Sequence, residues 1–160
     1  MDEQTIGAIV NGIVRQVGVP RLLTLSQARD LAAHIREKAA QMGVNAVIAV
    51  SDRGARPILV ECMDDAYIAS YDVALQKAFT VVSLKMSTAA LKPLAQPGGS
   101  LYGIQFTNNG QIVIFGGGEP LQDKNGNVIG GLGVSGGTEE QDTALAAYGK
   151  EFFEKGGTIR

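Results

Sequence analysis

The sequence is poor in the residues that form common metal and nucleophile sites. Its 160 residues include one cysteine, Cys62, and one histidine, His34. A single cysteine excludes an internal disulfide and is typical of a reducing compartment, so the cytoplasm is the expected location. The usual zinc ligand sets and a Cys/His nucleophile pair are excluded as well. The G-x-S-x-G motif of serine hydrolases does not occur.

Charge and long apolar runs are also scarce. The net charge is −2 and only 19% of the residues are charged, so nucleic acid and anionic membranes are not expected as partners. No apolar run reaches the roughly 18 residues that a membrane span needs. The N-terminus lacks the basic and apolar regions of a secretory signal. With 45% hydrophobic residues, the composition is that of a globular domain with one sizeable core.

Glycine, by contrast, is abundant, and nine of the 21 glycines lie in residues 115–137. This stretch contains a G-x-G-x-x-G pattern at Gly131, Gly133 and Gly136. A dinucleotide-binding fingerprint needs a helix and a second parallel strand after it, and too few residues follow Thr138 for that strand. We therefore interpret the pattern structurally. The glycines predict close approach of two backbones, and Asn125-Gly126 predicts a hairpin turn.

Residues 1–17 are predicted to form an amphipathic helix. Its apolar stripe at helical spacing consists of Ile6, Ile9, Val10, Ile13, Val14 and Val17. Gly7 and Gly12 make such a helix weak in isolation, so the stripe must contact another surface. That surface is its own domain, a neighbouring subunit or another protein that the helix docks on. A short linker ends this segment, which divides the chain into residues 1–21 and a domain over residues 22–160.

The domain over residues 22–160 is predicted to be α+β. Capping boxes begin two helices, one from Thr24 to about Met42 and one from Thr138 to about Glu154. Two more helices are predicted, over 66–86 and over 87–94. The carboxylates of Asp64 and Asp65 lie at the start of the first of them. Strands are predicted at 44–50, 57–62, 112–115, 119–122 and 127–134. Their hairpin connections predict a five-stranded antiparallel sheet flanked by helices.

Short motifs occur together in one order along residues 23–154. They are Leu23-Thr24-Leu25, Asp52-x-Gly54, Met63-Asp64-Asp65-Ala66, Lys77-Ala78, Gly116-Gly117-Gly118-x-Pro120-Leu121 and Glu140-Gln141-Asp142. Together they resemble the GlcG/HbpS-like haem-binding family (DUF336), whose fold is profilin-like. Within that family the sequence resembles the C-terminal domain attached to the cobalamin adenosyltransferase of propanediol-utilising bacterial microcompartments. The adenosyltransferase domain is absent from this sequence, so its activity is not implied.

The resemblance implies haem binding by a homo-oligomer of small subunits, with cobalamin as the alternative cofactor. A histidine on the first helix of the domain is implied as the axial ligand, and His34 matches that place. A lone helix histidine is also commonly a simple boundary residue, and that alternative stays open. Tyr102 and Met63 are candidates for a second ligand, with nothing to select between them. Glu151 and Glu154 match an E-x-x-E spacing, but such a pair is typical of a solvated helix face.

The resemblance also gives residues 1–17 a specific interpretation. They are similar to the encapsulation peptides that bring cargo into microcompartments, which implies a shell protein as partner and the microcompartment lumen as location. Two other functions stay open. One is a corrinoid-handling factor or enzyme supporting cobalamin-dependent diol metabolism, with polar groups near Ser135, Thr138 and Asp142. The other is a non-catalytic oligomeric scaffold. Haem binding itself needs no catalytic residue, so we expect a binding protein and leave enzymatic activity open.

Overall fold

The structure is a computed structural model that describes residues 2–17 and 22–157, with side chains except at 14–17. The helices are α1 Glu3–Val17, α2 Leu25–Gln41, α3 Ile68–Leu84, α4 Thr88–Leu94 and α5 Glu139–Glu154. The strands are β1 Val47–Asp52, β2 Pro57–Cys62, β3 Gly118–Gln122 and β4 Val128–Ser135. Two short 3-10 helices, Ile104–Phe106 and Asn108–Gly110, lie in the connection between α4 and β3.

The strands form one antiparallel sheet in the order β2-β1-β4-β3. The prediction of an α+β fold with an antiparallel sheet flanked by helices is confirmed. The prediction of a fifth strand is wrong, because residues 112–115 form no strand and the described sheet has four. The backbone N–H of Val113 instead donates to Thr80 Oγ1 at 3.0 Å. This hydrogen bond ties the segment to α3 rather than to a neighbouring strand.

The two faces of the sheet bury different side chains, as strand alternation requires. On one face, Ile48 and Val50 of β1 and Leu132 and Val134 of β4 pack against α2 and α5. Those helices contribute Ala28, Leu31, Ala32, Ile35, Ala39, Leu145 and Ala146. On the other face, a smaller cluster consists of Val47, Ala49, Ala74 and Ala78. The second pair of that cluster belongs to α3, so α3 covers this face.

The glycine-rich pattern lies where α3 crosses β4. A Cβ atom at Gly133 would lie 2.0 Å from the carbonyl oxygen of Ala74, and one at Gly131 would lie 2.4 Å from that of Ala78. Both distances are far below van der Waals contact, so only glycine admits the helix backbone there. The interpretation of these glycines as a device for close backbone approach is confirmed, and so is the hairpin between β3 and β4.

The starts of α2, α4 and α5 agree with local sequence signals, and the start of α3 does not. The capping boxes of Thr24 with Gln27 and of Thr138 with Gln141 are both complete. Ser87 caps α4 through the backbone N–H of Ala90 at 3.1 Å. The predicted start of α3 at residue 66 is wrong, because the helix begins at Ile68 without a side-chain cap. Asp64 and Asp65 instead occupy the preceding turn, so their carboxylates lie outside the first turn of the helix.

The predicted N-terminal helix is confirmed as α1. Asp2 caps it by accepting the backbone N–H of Thr5 at 2.7 Å. The apolar side chains that the structure describes on its stripe are about half exposed: Ile6 48%, Ile9 48%, Val10 51% and Ile13 52%. The side chains of Val14 and Val17 and the predicted linker at 18–21 lie outside the described residues. Among the described helices, none is long and apolar enough to cross a membrane.

Candidate functional site

The candidate site centres on His34, which α2 presents at its contact with α5. The Thr24–Gln27 capping box sets the start of α2, and burial of its Leu31 and Ile35 against the sheet sets its rotation. His34 therefore lies at the edge of the buried face and is half-buried. His34 is therefore a boundary residue of α2, and aromatic side chains of α5 contact it.

Two aromatic rings from α5 stack on the imidazole of His34. The centroid of Tyr148 lies 4.3 Å from that of His34, with an interplanar angle of 7°. The centroid of Phe152 lies 4.0 Å away, with an angle of 16°. The ammonium group of Lys38 lies 5.7 Å from the centroid of Tyr148, within cation–π range. An ordered aromatic stack therefore surrounds the only histidine of the chain.

The imidazole of His34 is in the form that binds metals. Burial lowers its pKa below the ordinary value of 6.5, and the nearby carboxylate of Glu37 partly offsets this effect. The ring is consequently neutral at neutral pH, and a neutral imidazole has a nitrogen lone pair free to coordinate a metal. Among the described residues, none forms a hydrogen bond with either ring nitrogen. Both nitrogens are thus uncommitted within the described chain.

The donor set around His34 fits haem better than a bare metal ion. Across the described parts of the chain, no group of three or more His, Cys, Asp or Glu side chains could hold a metal ion. Haem iron already has four porphyrin nitrogens and takes a single protein ligand, such as one histidine. The apolar rings of Tyr148 and Phe152 beside His34 also suit a large, flat, apolar ligand. A lone histidine with aromatic neighbours is therefore sufficient for haem.

His34 lies away from three cavities of the described chain. Three cavities of about 450, 420 and 410 Å³ lie elsewhere in the described part of the chain, and His34 lines none of them. The first lies between the end of α2 and the start of α5, the second beside the β3–β4 hairpin, and the third beside Cys62.

The two candidates for a second ligand are not brought to His34 by any described contact. Tyr102 is 64% exposed in the connection between α4 and β3. The sulfur of Met63 has another role, since it accepts the backbone N–H of Ala46 at 3.3 Å. The Glu151 carboxylate forms an ion pair with Lys155 on the surface of α5, which agrees with a solvated helix face.

The polar groups considered for a corrinoid or enzyme site are engaged in the fold. Ser135 Oγ lies 3.2 Å from Ser70 Oγ, and both residues are buried. Thr138 caps α5. Asp142 accepts the backbone N–H of Gly137 at 2.8 Å and lies 3.1 Å from the ammonium group of buried Lys77. These groups hold α5 to the rest of the domain.

Lys77 forms a buried ion pair that the sequence analysis did not predict. Its ammonium group is fully buried and donates to the carbonyl oxygen of Val134 at 2.7 Å as well as to Asp142. The ring of Phe115 lies 5.0 Å from it. Burial lowers the pKa of Lys77 and raises that of Asp142, while the mutual attraction opposes both shifts. The available signal was a single lysine within the otherwise uncharged stretch 73–84 of α3.

Comparison with known proteins places this site in a family. A 15.0 kDa Citrobacter freundii protein of uncharacterised function, encoded in the dhaT-dhaS intergenic region, is 44% identical over 133 residues, covering 83% of this chain and 93% of that protein. The corrinoid adenosyltransferase PduO of Salmonella typhimurium is 37% identical over 127 residues, covering 79% of this chain. The matched region is only 38% of PduO, so most of that enzyme has no counterpart here.

A solved structure and a family model agree with these relatives. The crystal structure of a PduOC–haem complex superposes with a TM-score of 0.78 at 35% identity, covering 82% of this chain and 94% of the other. Residues 23–151 match the model of the HbpS-like family, which is described as haem-degrading. The resemblance drawn from the sequence motifs is confirmed. The chain belongs to the HbpS-like family of haem-degrading proteins.

Proposed function

We propose that this protein binds haem, with His34 as a ligand of the iron, and that it is an oligomeric accessory protein of a bacterial microcompartment. The observation that carries the proposal is the stacking of the His34 imidazole against the rings of Tyr148 and Phe152. Burial also lowers the pKa of His34, which favours the neutral form that coordinates iron. The similarity to the PduOC–haem complex supports the choice of haem over other flat ligands.

The residues of this chain would hold haem by one coordinate bond and by apolar contact. His34 supplies the bond, and the rings of Tyr148 and Phe152 supply apolar surface beside it. Lys38 lies one helical turn from His34 and brings a positive charge to the same surface, where the carboxylates of a porphyrin could pair with it. Bound haem would supply a redox-active iron.

Self-association would complete the site. His34 is only half-buried and lines none of the three cavities described above, whereas apolar ligands the size of haem are normally covered on most of their surface. The described chain also exposes a set of large apolar side chains, namely Tyr67, Ile68, Tyr71, Tyr102, Phe106 and Phe115. Exposed apolar groups of this kind are typical of interaction surfaces. We infer a homo-oligomer of profilin-like subunits, and the antiparallel sheet between helical layers supports that fold type.

The helix α1 supports a location inside a microcompartment. The described apolar side chains of its stripe are about half exposed, as expected for a segment that docks on another protein. A shell protein is the partner that the resemblance of residues 1–17 to encapsulation peptides implies. The division of the chain into a docking segment at 1–21 and a haem-binding domain at 22–160 is part of this proposal.

A titration of apo-protein with haemin tests the proposed ligand. Wild type is expected to give a Soret shift that saturates at a defined haem-to-subunit ratio, and His34→Ala is expected to lose it. Arg29→Gln is the matched control, since Arg29 is an exposed residue of the same helix. A shift of equal size in His34→Ala would contradict the proposal. A parallel titration with hydroxocobalamin tests the corrinoid alternative, which predicts a spectral change with cobalamin and none with haemin.

A fusion of residues 1–20 to a fluorescent protein tests the docking segment. In cells that form microcompartment shells, the fusion is expected to give discrete foci. The matched control carries Ile9→Glu and Ile13→Glu, which place charges on the exposed stripe and leave the helix length unchanged. Diffuse fluorescence of the unmodified fusion would contradict the role of α1.

A further inference from the structure

The aromatic residues that contact His34 occupy the same face of α5. Tyr148 and Phe152 are four residues apart and therefore lie one above the other on that helix. Each ring is nearly parallel to the imidazole, with centroid distances of 4.3 Å and 4.0 Å. Such short distances and small angles describe stacking on a ring face, rather than contact with a ring edge.

The two rings lie on opposite faces of the imidazole. Two parallel rings on the same face, each about 4 Å from one centroid, would have to occupy overlapping space. Only a sandwich satisfies both distances and both angles. Lys38, whose ammonium group lies over Tyr148, extends the stack by one more layer. The order of layers is therefore Lys38, Tyr148, His34 and Phe152.

This arrangement differs from the usual way in which a protein orients a histidine ligand. A metal-binding histidine commonly donates its second ring N–H to a carboxylate or carbonyl, and that hydrogen bond sets the ring orientation. His34 has no such partner among the described residues. The rings on its faces take over the orienting role. Because the nitrogen lone pairs lie in the plane of the imidazole, stacking on the faces leaves the ligating edge open.

We propose that Tyr148 and Phe152 are positioning residues that clamp the imidazole of His34 and present its edge to haem iron. The proposal rests on the proposed function, since it concerns the same ligand. The clamp orders the side chain before the ligand arrives, so less conformational freedom is lost on binding. It also explains why α5, far from His34 in the chain, carries two aromatic residues at this spacing on its surface.

The chain allows a direct test of the sandwich in the apo-protein, because His34 is its only histidine. The imidazole C–H resonances can thus be assigned without ambiguity by NMR. Ring currents from two stacked aromatic rings are expected to shift these resonances upfield, and each of Tyr148→Leu and Phe152→Leu is expected to remove about half of the shift. Resonances at ordinary positions in wild type would overturn the proposal.

Haemin titrations of the same variants test the positioning role. Tyr148→Leu and Phe152→Leu are expected to weaken haemin binding roughly three- to tenfold, the cost of ordering one more side chain on binding. Tyr148→Phe and Phe152→Tyr keep the stack and are expected to bind within about twofold of wild type. Tyr148 lies outside the main apolar cluster, whereas Phe152 packs against it, so Phe152→Met serves if Phe152→Leu fails to fold.

The outcomes separate the clamp from the haem site itself. If His34→Ala binds haemin as wild type does, the proposed ligand is wrong. If His34→Ala loses binding but both leucine variants retain full affinity, the ligand is right and the clamp is wrong. Weakened binding in the leucine variants with recovery in the aromatic variants supports the clamp, because a purely structural effect would not follow the aromatic character of the side chain.

Discussion

The two faces of the sheet are packed in opposite ways. On the face covered by α2 and α5, large aliphatic side chains fill the space between helices and strands. On the face covered by α3, the strand contributes glycines and the helix backbone approaches directly, with buried charged and hydroxyl groups at the border. The first face depends on side-chain volume, and the second depends on backbone distance and on a polar network.

This difference explains where the candidate site lies. A helical layer held by its inward side chains has outward positions that are free to carry a ligand residue, and His34 with its two rings occupies such positions. At the border of the α3 face, Lys77 joins α3 to β4 and, through Asp142, to the start of α5, so its side chain is committed to the fold. We therefore expect substitutions at the α3 border to affect stability most, and substitutions around His34 to affect binding most.

The largest expected effect is that of Lys77→Met. Removing one member of a buried ion pair leaves an unpaired charge, at a cost of about 3–5 kcal/mol in unfolding free energy. Adding Asp142→Asn removes that charge and keeps an acceptor for the Gly137 N–H, so the double variant should recover most of the loss. Chemical denaturation of Lys77→Met, Asp142→Asn and the double variant measures the coupling free energy between the two side chains. A double variant as unstable as Lys77→Met would contradict the ion-pair explanation.

A pair of glycine substitutions compares the two faces directly. Gly133→Ala places a methyl group against the Ala74 carbonyl of α3 and should cost about 1–3 kcal/mol or more, because the backbone must move. Gly149→Ala on α5 meets the buried side chain of Ile35 rather than backbone, with Cδ1 at 2.5 Å and Cγ1 at 2.8 Å. The gain in helix propensity of about 1 kcal/mol offsets part of that strain, so this variant should cost less than Gly133→Ala in thermal unfolding. Equal losses of stability in the two variants would contradict the distinction between backbone packing on the α3 face and side-chain packing on the α2/α5 face.

Loss of a helix cap should have a smaller effect on the α2/α5 layer. Thr138→Ala removes the acceptor for the backbone N–H of Gln141 and should cost about 1 kcal/mol. Thr24→Ala removes the matching acceptor on α2 and should cost a similar amount. Thr138→Ser and Thr24→Ser keep the hydroxyl and are the controls. Denaturant midpoints of the four variants provide the measurement.

The smallest expected effect is a pH dependence of stability that arises in the turn between β3 and β4. This turn lies outside both packed faces of the sheet. Hydrogen bonds from the side chain and backbone of Asn127 and from the backbone of Asn125 lower the pKa of Asp123 below its ordinary value of 3.8. The resulting stability is therefore present above pH of about 4 and is lost as the pH falls through the lowered pKa. Asp123→Asn should show a weaker decline in stability in acid than wild type. Identical pH profiles would contradict this assignment.

Features set by neighbouring residues were predictable from the sequence. The caps at Thr24 and Thr138, the hairpin after Asp123 and the glycine-lined crossing at β4 depend on contacts within a few residues or on backbone size alone. Family motifs added the likeness to haem-binding proteins, which composition alone does not show.

Features set by distant contacts were not predictable in the same way. Residues 112–115 have the composition of a strand, but they lie outside the sheet, and the backbone N–H of Val113 donates to Thr80 Oγ1 of α3. Lys77 and Asp142 are 65 residues apart, so no spacing rule pairs them. The spacing of Tyr148 and Phe152 is visible in the sequence, yet their contact with His34 exists only because α2 and α5 pack side by side.

The central claim, that His34 binds haem iron, is tested most directly by the absorption spectrum of protein purified from haem-supplemented cells. Wild type should copurify with haem and show a Soret band in a fixed ratio to protein, while His34→Ala from the same culture conditions should be colourless and equally well folded by circular dichroism. A colourless wild type, or an equal Soret band in His34→Ala, would contradict the claim.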